Sequence, residues 1–198
     1  MKALPHRGFF LLLLWPALAR TAAAEARYIA PREYADVVKA EIDRATHSVT
    51  VCLYLFNLTT DETDSPTMKL AEALSSARAR GARVEAILNG WAHPGGGDEM
   101  GSEPERNRAA CDFLKQRGVD VFFSSGTALT HSKVVVVDEA TAIIGSTNWS
   151  EAALEDNAEA NVLVRDPVVA REALDDIARI PRRTLPEETI AARVPVSF

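Results

Sequence analysis

Residues 130–150 read THSKVVVVDEATAIIGSTNWS. Two β-branched runs, at 134–137 and 141–145, flank the short polar turn Asp138, Glu139 and Ala140, a pattern that predicts a β-hairpin. In a strand beginning at His131, alternate side chains share a face, so His131 and Lys133 project together while Val134 and Val136 project into the other layer. Ser146 and Asn148 repeat that alternation after the returning strand. The hairpin thus gathers a potential nucleophile, a cation and two polar donors on one surface, and a purely structural strand has little use for them.

Outward from the hairpin, the chain alternates strands and helices. Pro31 opens a helical pattern carried by Tyr34, Val37, Val38, Glu41 and Ile42, and SVTVCLYLF at 48–56 reads as an interior strand. Ser65 and Pro66 provide an N-cap and a first-turn proline for a helix through Arg80, closed by Gly81 and followed by a strand at 82–88. This strand-helix-strand order predicts parallel pairing. A glycine-rich loop at 89–105, a helix at about 106–117 and a short strand at 119–123 precede the hairpin. One more strand at 160–164 and a helix from Pro167 to about Ile180 follow it. The expected fold class is α/β, a mixed, largely parallel sheet flanked by helices.

The first residues read as a leader. Lys2 and Arg7 precede the apolar run FFLLLLWPAL, and Ala22, Ala23 and Ala24 form a small-residue cleavage site, so residues 1–24 are expected to be a secretory signal peptide. The run is about half the length a membrane span requires. The expected organisation is a leader at 1–24, one domain at 25–180 and a C-terminal arm at 181–198, in an exported protein, periplasmic or secreted, with no membrane span after cleavage. Removing Lys2, Arg7 and Arg20 takes 22 basic residues to 19 against 28 acidic ones, moving the formal charge from -6 to -9. Nucleic-acid affinity comes largely from basic side chains neutralising phosphates, so a chain this acidic must rely on local charge for phosphate chemistry. Cys52 and Cys111 can form one bridge if their elements pack together, or remain two core thiols. Without nearby histidines they do not make a zinc site.

The residues His131, Lys133, Asp138, Gly145, Ser146 and Asn148 match the HxK(x)4D(x)6GSxN signature, and the chain resembles the phospholipase D superfamily through it. Asn157 and Glu159 resemble the N-x-E that closes the motif. The resemblance implies one half-unit of the phospholipase D-like fold and a phosphodiesterase. It implies that His131 attacks phosphorus to form a phosphohistidine, a covalent route that splits one difficult step into two. Lys133 and Asn148, with Ser146 as a weaker donor, would hold the non-bridging oxygens. Glu159 would hydrogen-bond the histidine and fix its tautomer, and Asp138 reads better as a structural acid at the turn than as a catalyst. No metal or other cofactor is implied.

The mechanism needs a second histidine to protonate the leaving oxygen, and only one copy of the motif is present. His6 falls in the leader, while His47 and His93 have no lysine two residues on. The resemblance therefore implies a homodimer in which two His131 residues share one active site. The substrate is a phosphodiester, either a phospholipid head group or, as an exported endonuclease, DNA or RNA; a binding module without activity is the remote alternative. The acidic segments DETD and GGGDEMGSEPE flank the site where nucleases of this family carry basic tracks. A nuclease would have to rely on Arg106, Arg108 and Lys133, whereas a lipid enzyme would find only Trp91 and Met100 as apolar groups in the glycine-rich loop.

Overall fold

The computed structural model describes residues 24–90, 106–125 and 129–184. The leader, the glycine-rich loop with Trp91, His93 and Met100, and the arm beyond residue 184 lie outside them. The strands are β1 (Glu25–Ile29), β2 (Ser48–Leu53), β3 (Arg83–Leu88), β4 (Asp120–Ser124), β5 (Lys133–Val137), β6 (Thr141–Gly145), β7 (Asn161–Arg165) and β8 (Arg182–Arg183). The helices are α1 (Tyr34–Arg44), α2 (Pro66–Ala79), α3 (Arg108–Lys115) and α4 (Pro167–Ala178).

The strands form one mixed sheet in the order β1-β7-β6-β5-β2-β3-β4-β8. The parallel part is confined to β2, β3 and β4, joined through α2 and α3 as the strand-helix-strand order requires. All other pairings are antiparallel, so parallel strands are the smaller share of the sheet rather than most of it. For β5 and β6 the reason is local: the three residues 138–140 that join them are too few to cross over the sheet, and only antiparallel neighbours can be joined that way.

The helix signals act where the sequence places them. Ser65 Oγ accepts from Met68 N at 3.2 Å, with Pro66 in the first turn of α2. Gly81 and Gly118 follow α2 and α3 at φ of 100° and 77°, a conformation that favours glycine. α1, α2 and α3 pack on one face over the main core, in which Val38, Ile42, Leu70, Leu74, Val84 and Leu114 are buried. Full burial of each such side chain contributes about 1.5–3 kcal/mol. α4 covers the other face, where Cys52, Ile87 and Ile177 pack with Val134.

Two elements had no clear signal. β1 is an edge strand whose residues are exposed except Ile29, so its sequence lacks the alternation of a half-buried strand. β8 turns the start of the arm into a two-residue antiparallel partner of β4, held also by an ion pair between Arg182 and Glu85. The two cysteines lie on opposite faces of the sheet and are both free. Burial pushes each thiol up to about 11. The open choice between a bridge and two core thiols is thus decided for the thiols.

Candidate active site

Strand register brings most of the candidate residues to one end of the sheet. Lys133, at the start of β5, pairs with Leu53, the last residue of β2, and Gly145, at the end of β6, pairs with Asn161, the first of β7. His131, Lys133, Ser146, Asn148 and Glu159 are all delivered there, at the carboxyl ends of the parallel strands, where open α/β sheets bind ligands. Asp138 is not: it sits at the opposite end of β5, about 17 Å along an extended strand from Lys133.

β5 begins at Lys133, so His131 and Ser132 precede the strand rather than open it. Pairing still extends past it through a hydrogen bond from Tyr54 N to Ser132 O at 2.9 Å. The exposed His131 packs its ring on Tyr54, with centroids 4.7 Å apart and planes inclined by 53°. Desolvation by burial, and then the charge of Lys133, hold the imidazole below its ordinary value, which favours the neutral ring. Lys133 is 6% exposed, donates to His131 O at 2.8 Å and lies 5.0 Å from the Tyr54 ring centre. Burial lowers its pKa, and the nearby Glu159 carboxylate acts in the opposite direction.

Glu159 makes different contacts from those expected. Its carboxylate accepts from Ser146 Oγ and from Asn157 Nδ2, the latter at 3.2 Å, and not from His131. Ser146 Oγ in turn accepts from Ala160 N at 3.0 Å. The cause is proximity: Glu159 just precedes β7, whose neighbour in the sheet is β6 leading into Ser146, whereas His131 precedes β5, one strand further away. Among the described residues, the Asn148 Oδ1 atom is buried without a hydrogen-bond partner. Such an orphan requires a donor from water or a ligand; a carbonyl oxygen only accepts, so the Nδ2 amide of Asn148 is the group able to donate to a phosphoryl oxygen.

The glycine of the motif has a steric reason. A Cβ at Gly145 would lie 1.9 Å from Asn161 Oδ1 and 2.7 Å from Ala160 O. Without it, Asn161 reaches under the turn and donates to Thr147 Oγ1 at 2.9 Å, bracing the residue between Ser146 and Asn148. On the far side of Asn148, Trp149 is fully buried, edge-on to Phe56, and donates to Tyr34 Oη at 3.3 Å. Backbone bonds from Trp149 N to Leu55 O and from Asn57 N to Trp149 O fix this segment to the extension of β2.

Asp138 is built into the fold. Its carboxylate accepts from the backbone N–H groups of Thr46, His47 and Ser48 at 2.9, 2.8 and 2.8 Å, and from Thr46 Oγ1 at 2.9 Å. These donors outweigh desolvation and bring its pKa down to about 2. Tyr54, Asn89, Asn107 and Asn161, which support the site from behind, carried no signal in sequence because isolated asparagines and a strand-end tyrosine occur in any loop. Among the described residues, no group of three or more His, Cys, Asp and Glu side chains is arranged to hold a metal.

A family model described as cardiolipin synthase, PLD-like domain, matches residues 38–180. The chain belongs to this phospholipase D-like family. It is 26% identical over 136 residues to the mitochondrial cardiolipin hydrolase of Mus musculus, covering 69% of this chain and 52% of that protein. It is also 26% identical over 107 residues to a phospholipase D of Rickettsia conorii, covering 54% and 48%. The chain spans about half the length of these curated relatives. Among solved structures it is similar to Nuc, a phospholipase D family member from Salmonella typhimurium, with a TM-score of 0.61 and 22% identity over 82% of this chain and 99% of that one. NucT from Helicobacter pylori gives a TM-score of 0.61 and 20% identity over 79% and 95%. At these identities the structural likeness establishes the fold.

Proposed function

We propose that this protein is a metal-independent phosphodiesterase that hydrolyses the head-group phosphodiester of a phospholipid through a phosphohistidine on His131. The observation that carries this reading is the placement of His131 beside the buried Lys133 at one sheet end, with its imidazole held toward the neutral form. The imidazole lone pair attacks phosphorus and the P–O bond to the head-group alcohol breaks. The departing oxygen takes a proton from the His131 of a second copy of the chain. That second imidazole then deprotonates a water, which attacks phosphorus, breaks the P–N bond and frees His131 and phosphatidate. Lys133 and Asn148 hold the non-bridging oxygens, while the Ser146 hydroxyl, whose one hydrogen goes to Glu159, braces the turn beside them and does not donate to substrate.

Local charge supports lipid over nucleic acid. Asp61, Glu62, Asp64, Glu151 and Glu155 line one groove. Glu151 follows Asn148 by three residues, and burial followed by the charge of Glu62 raises its pKa. A single head group needs few cations, whereas a polynucleotide needs a basic track to neutralise its phosphates, which this acidic groove does not supply. The site is completed by a homodimer, and the leader directs export.

Purified protein is to be incubated in EDTA with labelled single-stranded DNA, RNA and mixed phospholipid vesicles, alongside His131→Ala. Head-group release by the wild type alone is the expected result. Cleavage of nucleic acid without lipid turnover would replace this reading with an exported nuclease, and loss of activity in EDTA would remove the metal-free mechanism. Sedimentation of an active monomer would overturn the shared site.

A further inference from the structure

Among the described residues, the His131 imidazole makes no hydrogen bond, so its seat must come from packing and from its backbone. Its ring neighbour is Tyr54, the residue that follows β2. Two buried amides hold this pair from behind. Asn107, fully buried just before α3, donates through Nδ2 to Tyr54 O at 3.0 Å and to Asn89 O at 3.1 Å, and accepts from Phe56 N at 2.7 Å. Asn89, fully buried just after β3, accepts on Oδ1 from Thr130 N at 3.2 Å, and its own N–H donates to Leu53 O at 2.9 Å. Thr130 is the residue before His131.

Burying an amide without partners is costly, and a network whose members are satisfied is correspondingly rigid. Asn107 uses both amide hydrogens and its oxygen on three backbone groups from two segments, more than closing one loop would need. Together the two side chains tie the end of β2, the end of β3 and the residue entering His131 into one frame. The ring that His131 rests on is fixed through its carbonyl, and the backbone that carries His131 is fixed through the preceding amide.

We propose that Asn107 and Asn89 are positioning residues that set the orientation of the His131 ring, Asn107 through the Tyr54 platform and Asn89 through the Thr130 amide. This rests on the reading of His131 as the nucleophile. Displacing a reacting group by about 1 Å can lower a rate about 100-fold, so a frame of this kind acts on kcat and leaves substrate affinity largely alone.

The test uses the full mature protein, bis(p-nitrophenyl) phosphate as a diester probe, and protein labelled at histidine 13Cε1, with His131→Ala assigning the resonance. Asn89→Ala and Tyr54→Leu are expected to lower kcat about 10- to 100-fold with KM within about twofold, and to shift the His131 resonance and its titration midpoint. Tyr54→Phe, which keeps the ring, is expected to rescue most of the loss of Tyr54→Leu. Asn107→Asp keeps the shape but turns two donors into acceptors facing carbonyls, and is expected to behave like Asn89→Ala. If one variant does not fold, the others still decide the matter, and the resonance needs no turnover. An inactive His131→Ala together with Asn89→Ala and Tyr54→Leu that match wild type in kcat and in the His131 resonance would overturn this inference and leave the proposed function standing. Wild-type rates in His131→Ala would instead overturn the proposed function.

Discussion

The Lys133 ammonium donates to the backbone carbonyl of His131 at 2.8 Å, from a side chain that is 6% exposed. In the proposed mechanism, a cation held there by its own strand end is already desolvated when a phosphoryl group arrives, which is the condition for strong electrostatic stabilisation. Lys133→Ala is expected to lower kcat about 100- to 1,000-fold while circular dichroism shows an unchanged fold. Lys133→Arg should recover little, because the larger planar guanidinium does not fit the same seat over Tyr54. Near-wild-type kcat in Lys133→Ala would contradict this role.

The His131 imidazole is held below its ordinary value of 6.5, first by desolvation and then by Lys133. In the proposed mechanism one His131 ring attacks in its neutral form while the partner subunit's His131 donates a proton, so kcat/KM is bell-shaped. It falls on the acid side as the attacking ring protonates and on the basic side as the donating ring loses its proton. The acid limb of kcat/KM is therefore expected below pH 6.5. An NMR titration of Lys133→Ala should show the His131 midpoint moving upward, since a like charge has been removed. A midpoint that stays in place, or an acid limb above the ordinary value, would count against this electrostatic arrangement.

Asp138 stabilises the fold from the end of β5 remote from His131. Its carboxylate is 24% exposed, and its pKa falls from 3.8 to about 2. A group with a depressed folded pKa contributes stability that is present above its unfolded value and lost as pH falls through the folded one. Asp138→Asn is expected to cost about 1–2 kcal/mol at pH 7, after allowance for solvent screening. That difference should shrink between about pH 4 and pH 2 in urea unfolding, while kcat of the folded variant stays within about threefold of wild type. A difference that does not vary with pH would mean that the carboxylate charge is not what matters.

Cys52 and Cys111, on opposite faces of the sheet with thiols near 11, should be inert in the folded protein. Mass spectrometry of purified protein held in an oxidising buffer is expected to show both thiols free. A thiol reagent should label them only on unfolding. Loss of two hydrogens in the native protein, assigned to a Cys52–Cys111 bridge, would be incompatible with this topology.

The fold and the site were legible to different depths. The hairpin from Lys133 to Gly145 and the β2-α2-β3 unit follow from β-branched runs, a Ser65-Pro66 helix start and Gly81, all local signals. The pairing of β1 with β7 depends on an exposed edge whose residues carry no period, so only the assembled sheet reveals it. The motif named the side chains of the site but not their partners. Glu159 bonds Ser146 and Asn157 because β6 and β7 are neighbours, a fact of strand order that residue spacing does not contain. Asn89 and Asn107 were silent for the same reason: each matters through backbone groups that are distant in sequence.

The central claim is a bond between His131 and phosphorus, and rapid acid-free quenching during turnover of a phosphodiester, followed by peptide mass spectrometry, tests it most directly. The expected result is one added substrate-derived phosphoryl group on the peptide containing His131, stable to base, labile to acid and missing from His131→Ala. Steady turnover with that peptide unmodified at every quench time, or with the adduct on another residue, would contradict it.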